Sequence, residues 1–281
     1  MKKRLFVKLI TFIAVYFSLA LQGCIKSKED PFNPVFDLGL VAATEADLRD
    51  AALVLPNYYT GILPASHSLN MPPVGDQKKQ GSCIAFSAGY AVMGYYINRS
   101  SNGNYSATYL ASPKFLYNQC KISSDCMSGS NYPRALSVLK DKGICTWADM
   151  PYNDAECSQQ PTISQLNFAA RYRLRSWSYI PLTNIDILKR YLMSGYPLMV
   201  AISVYDNLFG YSGGLYNSFS GVSKGGHAVC IVGYNENSRA FKIQNSWGSG
   251  WGDNGNFWVT YDFLAHQLAL EKWCYVAVPN F

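Results

Sequence analysis

Between residues 84 and 97 the apolar positions Ile84, Phe86, Ala88, Tyr90, Ala91, Val92, Met93, Tyr95, Tyr96 and Ile97 fall all round a helical wheel, which is the pattern of a helix buried on every side. A polar, Gly-containing turn over 76–82 precedes this run, so Cys83 is predicted to open the helix. Ser112 to Gln119 reads as a second helix, running to Cys120, and a third is predicted ahead of Gly143, with Pro133 in its first turn. From Phe168 onward the texture changes. Arg171 to Tyr179 reads as strand, Asn184 to Ser194 as an amphipathic helix, and Tyr196 to Val204 as a buried strand. Ala228 to Gly233, Ala240 to Gln244, Asn256 to Tyr261 and Trp273 to Val278 supply four more strands.

The N-terminus has its own pattern. Lys2, Lys3 and Arg4 precede an apolar stretch that Lys8 interrupts, leaving an uncharged run from Leu9 to Leu21 of 13 residues. That is shorter than the roughly 18 needed to span a bilayer, and residues 1–23 read as an export signal. Leu21-Gln22-Gly23-Cys24 resembles a bacterial lipobox, apart from the unusual Gln22. The resemblance implies that Cys24 is lipidated, becomes the mature N-terminus and anchors the chain to the cell envelope, at the outer membrane, with its facing open. Residues 24–61 then form a tether and a short N-terminal segment, in which Thr44 is placed to cap a helical pattern with Asp47 at the capping-box position.

A thiol in the first turn of a helix meets unpaired backbone N–H groups and the positive end of the macrodipole, and both favour thiolate. A lone cysteine there is more often a small buried apolar residue, so two later stretches decide. Gly225-Gly226-His227 places an imidazole at the mouth of an apolar strand, and Gln244-Asn245-Ser246-Trp247-Gly248 carries a strand into a Gly/Trp loop. Cysteine on a helix start, then distant histidine, then asparagine is the order of a Cys-His-Asn hydrolase. Taken together, the three stretches resemble papain-like cysteine peptidases over residues 62–281.

The resemblance implies an α+β, two-lobed fold: a helical lobe over about 77–167, built round the Cys83 helix, packed on an antiparallel, barrel-like lobe over about 168–281. It implies Cys83 as nucleophile, His227 as general base and acid, Asn245 as the group that orients the imidazole, and Gln77 as oxyanion donor beside the Cys83 N–H. Trp247 is expected to lie over the Asn245 side chain and, with Gly129, Tyr132 and Pro133, to border the substrate. The last three are expected to form the wall receiving the substrate's second side chain, with an apolar preference. Ile84 and Gln80 stand where many family members have Trp and Cys. Residues 31–61 are too short for the family's long prosegment and read either as a linker or as a short plug over the cleft.

The reaction expected is peptide-bond hydrolysis on a peptide or protein substrate. A catalytically silent peptide-binding lipoprotein, or an acyl transferase or peptide ligase on the same fold, are the alternatives. Net charge is +6, with 24 Lys and Arg against 18 Asp and Glu. Four of the basic residues lie in the export signal, leaving the mature chain near +2, too little for a nucleic-acid footprint. No cofactor or metal motif appears, and a monomer bound to the membrane only through its lipid is expected. Export permits disulfides, with Cys120, Cys126, Cys145 and Cys157 as candidates in three connectivities. The resemblance implies Cys120 with Cys157, whereas two short local loops, Cys120 with Cys126 and Cys145 with Cys157, need no long-range rearrangement and are preferred.

Overall fold

The computed structural model describes residues 38–101 and 105–281; the export signal and Cys24 lie outside them. Cys83 does open a helix. Its first turn receives the N–H groups of Ala85 and Phe86 on the Ser82 carbonyl, the stretch Ala85–Met93 is wound as a π-helix, and α1 (Gly94–Ser101) continues it. Every residue of Ala85–Met93 is buried, as the all-round apolar pattern requires.

Around this central helix pack α2 (Pro113–Cys120), capped by the Ser112 hydroxyl, and α3 (Tyr132–Asp141), capped by Asn131, with Pro133 in its first turn. Helix α4 (Ile163–Ala169) begins on a Thr162/Gln165 capping box. Hydrophobic periodicity does not announce it, because Ala169 is its one buried residue. These helices share a core that extends to Trp177, Ala201, Ala228 and Tyr275.

The second core belongs to the sheet. Its strands are β1 (Ser66–Ser68), β2 (Leu174–Pro181), β3 (Leu198–Tyr205), β4 (Leu215–Tyr216), β5 (Ser223–Asn235), β6 (Ala240–Gln244), β7 (Asn256–Thr260) and β8 (Ala269–Pro279). They run in the order β2-β8-β3-β5-β6-β7-β4, with β1 added on β5, and α5 (Ile185–Met193) packs its Leu188, Tyr191 and Leu192 onto them. The α+β, two-core architecture is as expected, with two differences. The sheet stays open, because β2 and β4 end the order without meeting, and two-residue β4 pairs with β7 in parallel. Among the described residues no helix is long and apolar enough to cross a membrane, and no cluster of His, Cys, Asp and Glu could hold a metal ion.

The disulfide corrects both expected pairings. Cys126 is bonded to Cys157, 31 residues on, with Cα atoms 5.5 Å apart, while Cys120 and Cys145 are buried free thiols. Cys120 ends α2 facing inward, under the Ser130 hydroxyl that donates to its carbonyl at 2.6 Å. Cys126 and Cys157 sit instead on two loops that meet beside Gly81, whose N–H donates to the Cys126 carbonyl at 3.0 Å. Helix packing turns Cys120 and Cys145 into the core, so the loop cysteines are the pair within bonding reach.

Candidate active site

Strand register assembles the site. In β5, His227 pairs with Ile202 of β3, and Cys230 pairs with Gln244 of β6, so Asn245 leaves β6 close to the imidazole. The His227 Nε2–H donates to Asn245 Oδ1 at 2.7 Å. The Ser246 N–H donates to the same oxygen at 2.8 Å, which sets the amide with its oxygen toward the ring. This leaves His227 Nδ1 as the basic atom, buried and without a hydrogen-bond partner. Trp247 stacks on the His227 ring, centroids 4.8 Å apart, and is itself backed by Phe209 at 5.2 Å and Trp251 at 4.9 Å. At 3% exposure it shields the imidazole from water.

Gln77 is tied to the same loop. Its N–H donates to the Ser246 carbonyl at 2.9 Å, and the Gly248 N–H to the Gly75 carbonyl at 3.0 Å. The Ser246 hydroxyl donates to Gln77 Oε1 at 2.6 Å, and Gln77 Nε2 donates to the Gln80 carbonyl at 3.0 Å. Tyr152 donates its hydroxyl proton to the Gln77 carbonyl at 2.7 Å. The Gln77 amide therefore has a fixed orientation. Neither Ser246 nor Tyr152 carries a signal in its local sequence that marks it for the site; tertiary structure brings both to Gln77.

Residues 39–41 run alongside Ser130 and Gly226. The Leu40 N–H donates to the Gly226 carbonyl at 3.2 Å, Val41 N–H to the Ser130 carbonyl at 2.9 Å, and Ser130 N–H to the Gly39 carbonyl at 2.8 Å. The fit admits only glycine at two points: a Cβ on Gly39 would stand 1.9 Å from the Gly81 oxygen, and one on Gly129 (φ +67°) would stand 2.0 Å from the Gly39 oxygen. Gly129 thus faces the segment, whereas Tyr132 and Pro133 are buried. The Tyr132 hydroxyl is engaged with Ser87 and the carbonyls of Val200 and Val229. Downstream, Asp47 accepts both the N–H and the hydroxyl of Thr44, at 2.8 and 2.7 Å, so the expected cap is present on a short 3-10 helix, Glu45–Asp50.

Burial dominates the electrostatics of this covered site. It pushes the Cys83 thiol up to about 11, with the backbone N–H groups of Ala228, Gly39 and Ile84 offsetting only part of the effect. Burial also lowers the His227 imidazole to about 4, against the Asn245 hydrogen bond that raises it. Burial thus disfavours the charged form of both groups, against the helix start that favours thiolate. The helix start is present, and desolvation opposes it.

The profile described as "Papain family cysteine protease" matches residues 64–275. Over 270 residues the chain is 27% identical to "Uncharacterized peptidase C1-like protein L477" of Acanthamoeba polyphaga mimivirus, covering 89% of this chain and 85% of that protein. It is 31% identical over 190 residues to "Gamete and mating-type specific protein A" of Dictyostelium discoideum, covering 67% of this chain and 40% of that protein. The crystal structure of xylellain, a cysteine protease from Xylella fastidiosa, superposes with a TM-score of 0.70 at 27% identity, covering 86% of this chain and 95% of that one. With Cys83 on its helix, His227 hydrogen-bonded to Asn245, and a family match over most of its length, this chain belongs to the papain family of cysteine proteases.

Proposed function

We propose that the protein is an exported, lipid-anchored cysteine peptidase that hydrolyses peptide bonds through a thioester on Cys83, and that residues 38–41 hold it closed. One observation carries the chemistry: His227 donates Nε2–H to Asn245 at 2.7 Å while its Nδ1 is kept buried, basic and without a partner. In the open cleft, Nδ1 takes the Cys83 proton and the thiolate attacks the substrate carbonyl carbon. The oxyanion that forms is met by the Gln77 side-chain amide and the Cys83 N–H. Imidazolium then returns the proton to the leaving amine, the C–N bond breaks, and the acyl group remains on sulfur. Water, deprotonated by the same imidazole, releases the acid and restores the thiol. Asn245 keeps the ring in register throughout, and Trp247 keeps water off that hydrogen bond.

The reading of residues 38–41 as a closing segment rests on its three backbone hydrogen bonds along the cleft and on Gly39 acting on the sulfur. Val41→Pro removes the N–H that Ser130 accepts and opens the cleft. The test is hydrolysis of a mixed fluorogenic peptide library by the Val41→Pro protein, with Cys83→Ala in the same background as control. Cleavage abolished by Cys83→Ala supports the proposal, and equal cleavage by the two proteins overturns it.

A further inference from the structure

Arg99 and Arg175 line one cavity of about 430 Å³, set between the end of α1, strands β2 and β8, and the turn after α5. Cys83 opens the helix that α1 ends, so the cavity lies roughly 20 Å from the thiol along that helix.

The backbone is shaped to bring both guanidinium groups there. Between β2 and β8, Leu174 stands opposite Pro279 and Ser176 opposite Val278. Arg175 is therefore the extra residue of a bulge, the device by which a strand re-aims one side chain. Val278 and Pro279, the residues facing the bulge, line the same cavity. On the opposite wall, Arg99 Nη1 donates to the Gly195 carbonyl at 3.5 Å. A Cβ on Gly195 (φ +80°) would stand 2.3 Å from that nitrogen, so glycine at this turn makes room for the Arg99 head.

Neither cation has an acid. No ion pair among the described residues includes Arg99 or Arg175, the Arg175 guanidinium makes no hydrogen bond among them, and no Asp or Glu lines the cavity. Val278, Pro279 and Phe281 make part of the wall apolar. Two like charges in such a concavity repel each other and focus a positive field into it, which an entering anion relieves. The number of donors selects the anion. One guanidinium fork is enough for the two oxygens of a carboxylate. Two forks, with Tyr196 and its hydroxyl on the same lining, match a phosphate monoester, which has three free oxygens and carries up to two charges. The apolar wall receives the carbon end of the ester.

We infer that this cavity is a binding site for a phosphate monoester, held between Arg99 and Arg175. The site stands apart from Cys83 and does not depend on the peptidase reading. Its ligand is either a phospholipid headgroup or a soluble ester, which share this chemistry.

The test is calorimetric titration of glycerol 3-phosphate into the full-length protein. Saturable one-site binding is expected, weakened about tenfold or more by Arg175→Gln and by Arg99→Gln. Arg171→Gln, which changes an arginine lying over Phe168 outside the cavity, should leave it unchanged, and thermal melts confirm that each variant is folded. No saturable binding, binding that survives Arg175→Gln or Arg99→Gln, or an equal loss in Arg171→Gln would each overturn the site. Glycerate bound as tightly as glycerol 3-phosphate would overturn the choice of phosphate. Flotation with phosphatidylcholine vesicles, with and without phosphatidic acid, separates the two sources. Retention that rises with phosphatidic acid and falls in Arg175→Gln identifies a lipid headgroup, whereas no rise, with glycerol 3-phosphate still bound, identifies a soluble ester.

Discussion

The backbone N–H of Ser130 donates to the carbonyl of Gly39 at 2.8 Å, which pairs the segment at residues 39–41 with the backbone just after Gly129. The Gly39 N–H also lies against the Cys83 sulfur, so the proposed closing segment would cover the thiol as well as the cleft. Iodoacetamide should therefore alkylate Cys83 slowly at pH 7 in the native protein, since the thiolate is scarce when burial holds the thiol near 11. Val41→Pro should raise the rate about tenfold or more. Peptide mapping by mass separates Cys83 from the other buried thiols, and equal rates would show that residues 38–41 do not cover it.

His227 gives a pH dependence of stability with a definite sign. Its pKa is about 4 in the fold against a reference of 6.5, so the unfolded chain binds the proton more tightly. Its contribution is present above pH 6.5 and is lost as pH falls toward 4, by about 3 kcal/mol. Urea unfolding at pH 7 and pH 4.5 should show the drop, and His227→Gln should make it smaller.

Ser246 orients the Gln77 side-chain amide through its 2.6 Å hydrogen bond to Gln77 Oε1, and would thereby position the proposed oxyanion donor. In the Val41→Pro background, Ser246→Ala should lower kcat about tenfold with KM nearly unchanged, because the oriented amide matters most in the transition state. A loss carried by KM would assign Ser246 to binding or packing instead.

Peptide mapping without reduction should recover Cys126 joined to Cys157. The bond closes a span of 31 residues and should stabilise the fold by about 3 to 4 kcal/mol in the chain-entropy model. Comparing urea midpoints of the native protein and a Cys126→Ala/Cys157→Ala variant checks it.

If Cys24 carries the anchor, the full chain expressed in a Gram-negative host should incorporate labelled palmitate and partition into detergent. Cys24→Ala should be released or remain as uncleaved precursor. Equal partitioning of the two proteins would remove the anchor.

What the sequence determined by itself was local. Ten apolar residues distributed round a stretch of fourteen predict a helix buried on every side, and the polar turn before them put Cys83 at its start. Apolar runs ending at His227 and Asn245 were legible as strands for the same reason: burial writes a period into neighbouring residues. The tertiary structure decided everything that depends on residues meeting across the chain. Cys126 found Cys157 because helix packing turned Cys120 and Cys145 inward. Ser246 reached Gln77 across a separation of 169 residues, and Ala43 reached Glu271 across 228. None of these contacts leaves a periodic trace, since each is made by one side chain with one distant partner. The surroundings of the thiol were also decided there: the helix start that favours thiolate is a local feature, whereas the burial that opposes it comes from the packing of the whole core around Cys83.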